Sequence, residues 1–147
     1  MTSQREQSAT AKHWLMRSVG SHRYIKALER RLESFTFANI TRYENDGVPP
    51  TNTGENATET RMIEFSEINR LIEETRDRIA SSDVETLRMI DRMTSNLQKT
   101  VLVERYINLL NFDEIAKKID YSTSHVHRLH GEALLSLYKI LYEEGKT

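Results

Sequence analysis

Apolar residues recur along this chain at intervals of three and four and nowhere in sustained alternation, so the pattern predicts helices and no strands. From Tyr24 onward, Ile25, Leu28, Leu32 and Phe35 trace one narrow stripe. Phe65, Ile68, Ile72 and Ile79 trace a second, with a gap at Thr75, among charges such as Glu73, Glu74, Arg76 and Arg78. Narrow stripes on otherwise charged helices suit a helical hairpin or coiled coil with a solvated outer face. Ser81-Ser82-Asp83 interrupts the second stripe, and Ser82 with Glu85 has the spacing of a capping box for a following helix. That helix carries Leu87, Ile90, Met93 or Thr94, and Leu97. A further short helix runs through Val101, Leu102, Tyr106 and Leu109.

Between the two stripes the period lapses. The stretch "NDGVPPTNTGEN" holds both prolines and two of the five glycines, which reads as a flexible linker or long loop. The expected organisation is therefore an N-terminal helical segment over 1–36, a linker over 37–58, a long helical segment suited to oligomerisation over 59–98, and a terminal domain over 99–142. The fold class is all-α.

The terminal domain has the most specific pattern. Asn111 is placed to cap one helix, with Glu114 completing a box-like spacing, and Ser122 is placed to cap the next, after a turn at Asp120-Tyr121. Counting from Phe112, small and apolar residues fall at positions 4, 5, 8, 10, 15 and 18, the spacing of a helix-turn-helix. Ala116 supplies the small residue that two steeply crossed helices need, and Val126 and Leu129 face it. Asp120 stands in the turn where glycine is common; aspartate tolerates the left-handed region better than most residues.

A helix-turn-helix directs the first turns of its second helix into the major groove of DNA. The outward residues there are Ser122, Thr123, Ser124, His125, His127 and Arg128. Arginine can donate two hydrogen bonds to guanine, and Ser, Thr or His can reach bases or phosphates. Lys117 and Lys118 on the first helix are expected phosphate contacts. Against this stand a purely solvated histidine face and a metal site. Histidines two apart point about 200° from each other around a helix, so of His125, His127 and His130 only the last two share a face.

Charge and composition change the picture modestly. The formal net charge is −1, but residues 1–45 hold eight cations against four anions, 46–98 six against eleven, and 99–147 seven of each. A near-neutral terminal domain limits non-specific DNA affinity, so useful binding is expected from two modules side by side, in a homodimer or higher oligomer. The acidic middle, with Glu64, Glu67, Glu73, Glu74 and Asp77, is interleaved with Arg61, Arg70, Arg76 and Arg78 as on a salt-bridged helix surface. No nucleophile, base and orienting group assemble, so neither an enzyme nor a cofactor is expected. There is no cysteine, and Trp14-Leu15-Met16 is the longest apolar run near the N-terminus, which leads to the expectation of a cytoplasmic protein without membrane association.

The residues "RYINLLNFDEIAKKIDYSTSHVHRLHGEALLSL", Arg105 to Leu137, resemble region four of bacterial sigma factors. They also resemble a family of small sigma-like late transcriptional regulators of bacteriophages and integrated elements, of the RinA and ArpU type, most tellingly in "VHRLHGEAL". The resemblance implies a −35-like major-groove reader in a bacterial host cell, with Ser122 to Ser124, His125, His127 and Arg128 as the reading face. It implies Lys117 and Lys118 as backbone clamps and RNA polymerase as a partner of the same domain. It brings no −10 reading region, so the expected function is a sequence-specific regulator of late-gene promoters rather than a full sigma factor. A small DNA-packaging subunit and a protein-interaction module for polymerase are the alternatives.

Overall fold

The computed structural model describes residues 2–46 and 54–143. Their elements are α1 (Gln4–Leu15), α2 (Val19–Asp46), α3 (Gly54–Asp91), α4 (Asn96–Tyr106), α5 (Phe112–Ile119) and α6 (Thr123–Tyr138), the last passing into a π-helical turn, Lys139–Glu143. Among the described residues there is no strand, so the fold is all-α. No described helix is long and apolar enough to cross a membrane. The chain forms two compact units, one of Ser21–Ile79 and one of Met1–Gly20 with Ala80–Thr147.

In the first unit the seam on α3 is Ile68, Ile72, Thr75 and Ile79, all buried, and α2 contributes buried Ile25. Thr75 fills the apparent gap at 1% exposure: its hydroxyl donates to Leu71 O (2.7 Å) and accepts from Arg78 Nη2 (3.1 Å). A hydroxyl satisfied on its own helix enters a seam at little cost. Phe65, expected in the seam, is 41% exposed instead. The seam steps back four residues from Ile68 to Glu64, which Arg31 of α2 holds at 2.6 Å. A second ion pair, Glu29 with Arg76 (3.1 Å), also joins α2 and α3, and the opposite order of the partners marks the helices as antiparallel. On the outer face Arg70 bridges Glu67 and Glu74, and Arg76 meets Glu73. Such exposed pairs are each worth about 0–1 kcal/mol, so the acidic middle is a solvated surface held by its own arginines.

Two sequence expectations about the path of the chain are corrected. First, α3 continues through Ser81-Ser82-Asp83 to Asp91. Ile79, Thr86 and Ile90 are buried on either side of that triplet, and packing of the flanks overrides its capping preference. The break falls at 92–95, where Ser95 caps α4 by accepting from Gln98 N (3.2 Å), and Met93 rather than Thr94 enters the core. Second, helix extends over 37–46 and resumes at Gly54, inside the expected linker of 37–58. Loss of apolar period does not end a helix; breakers do, and none lies between Phe37 and Asp46. The Pro49-Pro50 loop itself lies outside the described residues. The N-terminal segment holds two helices, parted at Met16–Ser18, and a reciprocal capping box between Ser3 and Glu6 starts the first.

The second unit is organised around α6, which buries two faces. Towards α1, the end of α3 and α4, a cluster joins Ala11, Leu15, Ile90, Met93, Leu102, Tyr106, Ala133, Leu134, Leu137 and Ile140. Towards α5, a smaller cluster joins Val101, Ile115, Ala116, Val126 and Leu129. Arg17 fastens the end of α1 to α3: its guanidinium lies 3.9 Å from the Trp14 ring and donates to Thr86 Oγ1 (3.1 Å) and Glu85 Oε2 (3.4 Å).

Candidate nucleic-acid interface

The helix pair forms for local reasons that can be followed bond by bond. Asn111 Oδ1 accepts from Glu114 N (2.9 Å) at the start of α5, and Ser122 Oγ accepts from His125 N (3.2 Å) at the start of α6. Asp120 sits at φ 60, ψ 47, and Tyr121 N donates to Ala116 O (3.0 Å), closing α5 with the long-reach bond of a left-handed helix end. Ile115, Ala116, Val126 and Leu129 are buried where the helices meet, and Val101 of α4 closes the cluster from below. Thr123 Oγ1 donates to Asp113 Oδ1 (3.0 Å), tying the first turn of α6 to that of α5.

This frame sorts the expected reading residues. Ser124, His127 and Arg128 are exposed on α6, and Lys117 and Lys118 are exposed on the last turn of α5. Ser124 and Arg128 are four apart and share the stripe opposite the buried Val126, Leu129 and Ala133. Ser122 is committed as the cap, although its O–H remains able to donate. Thr123 has its hydroxyl proton on Asp113, so its side chain has no donor left for a phosphate oxygen. His125 is half-buried beside Tyr121, rings 4.7 Å apart, and one of its ring nitrogens lies 3.3 Å from Arg128 Nη2. It is therefore placed to orient Arg128 rather than to reach outward itself.

The third histidine has a different fate. His130 Nε2 is 2.7 Å from the Tyr106 hydroxyl, and Phe112 packs edge-on against its ring at 5.0 Å. Burial pushes the His130 pKa down to about 4, helped by the positive charge of Lys12, Arg105 and His127, while burial pushes Tyr106 up to about 12. Both are uncharged at neutral pH, and the pair is a strut between α4 and α6. His127 lies over the Phe112 ring at 4.3 Å, and Arg105 covers that ring at 4.6 Å while donating to Leu110 O (3.0 Å). The histidines therefore support an aromatic and cationic stack. Among the described residues no group of three or more His, Cys, Asp or Glu is arranged to hold a metal.

Two residues beside the expected reading face escaped the sequence reading. Tyr121 is 42% exposed in the turn and backs His125; its position after Asp120 marked it as turn, not as support. Gly131 lies on the stripe of Ser124 and Arg128, and only its occurrence inside an amphipathic helix would have signalled it.

Comparison with known proteins bears on α4 to α6. No curated protein and no solved structure matches the chain. Residues 95–139, less than a third of the chain, match the family model Sigma-70, region 4. The match begins at the cap of α4 and ends just after α6, so α4 to α6 form a sigma region-four-like helix-turn-helix, and α1 to α3 lie outside it.

Proposed function

We propose that this protein is a sequence-specific DNA-binding transcription regulator of a phage or mobile element, of the sigma-like RinA and ArpU type, acting at late-gene promoters. The observation that carries the reading is Arg128, exposed on the outward stripe of a region-four-like second helix and oriented by His125. In this geometry Arg128 reads a guanine in the major groove, Ser124 and His127 contact neighbouring bases or phosphates, and Lys117 and Lys118 grip the flanking backbone. The positive end of α6 faces the same phosphates. A near-neutral domain gains affinity by pairing with another, and exposed Met62 and Ile63 on α3, 66% and 64% accessible, support self-association of the first unit.

A selection against fragments of the encoding genome tests this directly. Enrichment of one fragment beside late genes supports the regulator; enrichment at a packaging site supports a small DNA-packaging subunit. Retention of no fragment contradicts both and leaves a protein-interaction module for polymerase.

A further inference from the structure

We propose that Gly131 is a clearance position on the reading face, where bare backbone lets one sugar–phosphate strand of the groove wall close against α6. The inference rests on the DNA-binding reading above and adds a residue to it. Gly131 lies in the interior of α6, where glycine is the least favourable residue except proline. Inside the protein nothing requires it: a Cβ built there meets no atom within 4 Å, and no positive φ is recorded for it. The usual internal reasons for a helical glycine, close packing or an unusual backbone angle, are both absent.

Its position supplies an external reason. Ser124, Arg128 and Gly131 are spaced i, i+4 and i+7, a single outward stripe. An α-helix with side chains is about 10–12 Å across and the major groove about 12 Å wide, so side chains on that stripe decide how deep the helix can sit. Arg128 has to reach inward, and Gly131 lies about 4.5 Å further along the axis, where the strand leaving the groove passes the helix. A side chain there would lift the helix and withdraw Arg128 from its base.

The test uses the full chain and the labelled duplex fragment enriched by the genomic selection. Gly131→Ala is expected to raise Tm by about 2–4 °C. It is expected to weaken binding at least about fivefold, and Gly131→Leu to weaken it further. Gly20→Ala is the control: that glycine also lies in a helix with open space around it, but outside the interface, so the variant keeps wild-type affinity. Wild-type affinity in both Gly131 variants, with Arg128→Ala impaired, would overturn the clearance role and leave DNA reading intact. A wild-type protein that binds no duplex would overturn both.

Discussion

α6 packs two faces against two very different neighbours. Its face towards α5 is built from residues within thirty of one another, Val101 to Leu129, around a small residue, Ala116. Its face towards α1 is built from residues more than a hundred apart, with Ala11 and Leu15 against Leu134 and Leu137. The first face sets the angle at which Arg128 projects from the helix pair. The second holds the helix in place, and it lies partly outside the segment that matches sigma region four. A helix-turn-helix that looks self-contained in its family match thus completes its core with a helix from the far end of the chain.

The largest expected effect comes from breaking the near face. Ala116→Glu puts a carboxylate where the helices touch at 5% exposure, costing more than about 3 kcal/mol and collapsing the pair. Unchanged thermal unfolding of that variant would refute the crossing geometry. Breaking the far face comes next: Leu15→Ala, at 1% exposure, is expected to cost about 2–4 kcal/mol and to lower Tm of the whole helix-turn-helix unit, not of α1 alone. If near-ultraviolet circular dichroism and far-ultraviolet helicity melted separately, with α6 unaffected, α1 would be an appendage.

The Tyr106–His130 strut sharpens the comparison through pH. The folded protein holds His130 at about 4, below the ordinary 6.5, so the unfolded chain binds more protons and stability rises with pH across that interval. The His130 contribution is complete above about 6.5 and is lost as pH falls towards 4. His130→Phe is expected to flatten this part of the stability profile, measured by urea unfolding at several pH values; an unchanged slope would place its origin elsewhere. Smallest is Asp120→Gly, which removes left-handed strain at φ 60 and is expected to stabilise the near face by about 0.5–1 kcal/mol.

The contrast also explains what could be read in advance. The caps Asn111 and Ser122, the left-handed Asp120 and the contact of Ala116 with Val126 and Leu129 are all near-neighbour features, and their spacing in the chain is enough to predict them. The docking of α1 is not: Ala11, Trp14 and Leu15 make too short a stripe to stand out, and their partners lie at the other end of the sequence. Phe65 lies outside the seam while Glu64, paired with Arg31 of α2, stands at the facing position, a choice between positions three and four before Ile68 that spacing alone leaves open. On α6, Arg128 is exposed, as its place opposite Val126 and Leu129 in the helical period predicts. The commitments of Thr123 to Asp113 and of His125 to Tyr121 and Arg128 depend on the angle between α5 and α6 and on rotamers, which residue spacing does not encode.

The central claim, that α6 reads DNA through Arg128, is tested most directly by anisotropy titration of the enriched fragment and a scrambled duplex at two salt concentrations, for wild type, Arg128→Ala and Lys117→Ala. Arg128→Ala is expected to lose about 1–3 kcal/mol on the enriched fragment and little on the scrambled one, with unchanged Tm, whereas Lys117→Ala weakens both alike and reduces the salt slope by about 1. Equal affinity and preference in wild type and Arg128→Ala would contradict the account.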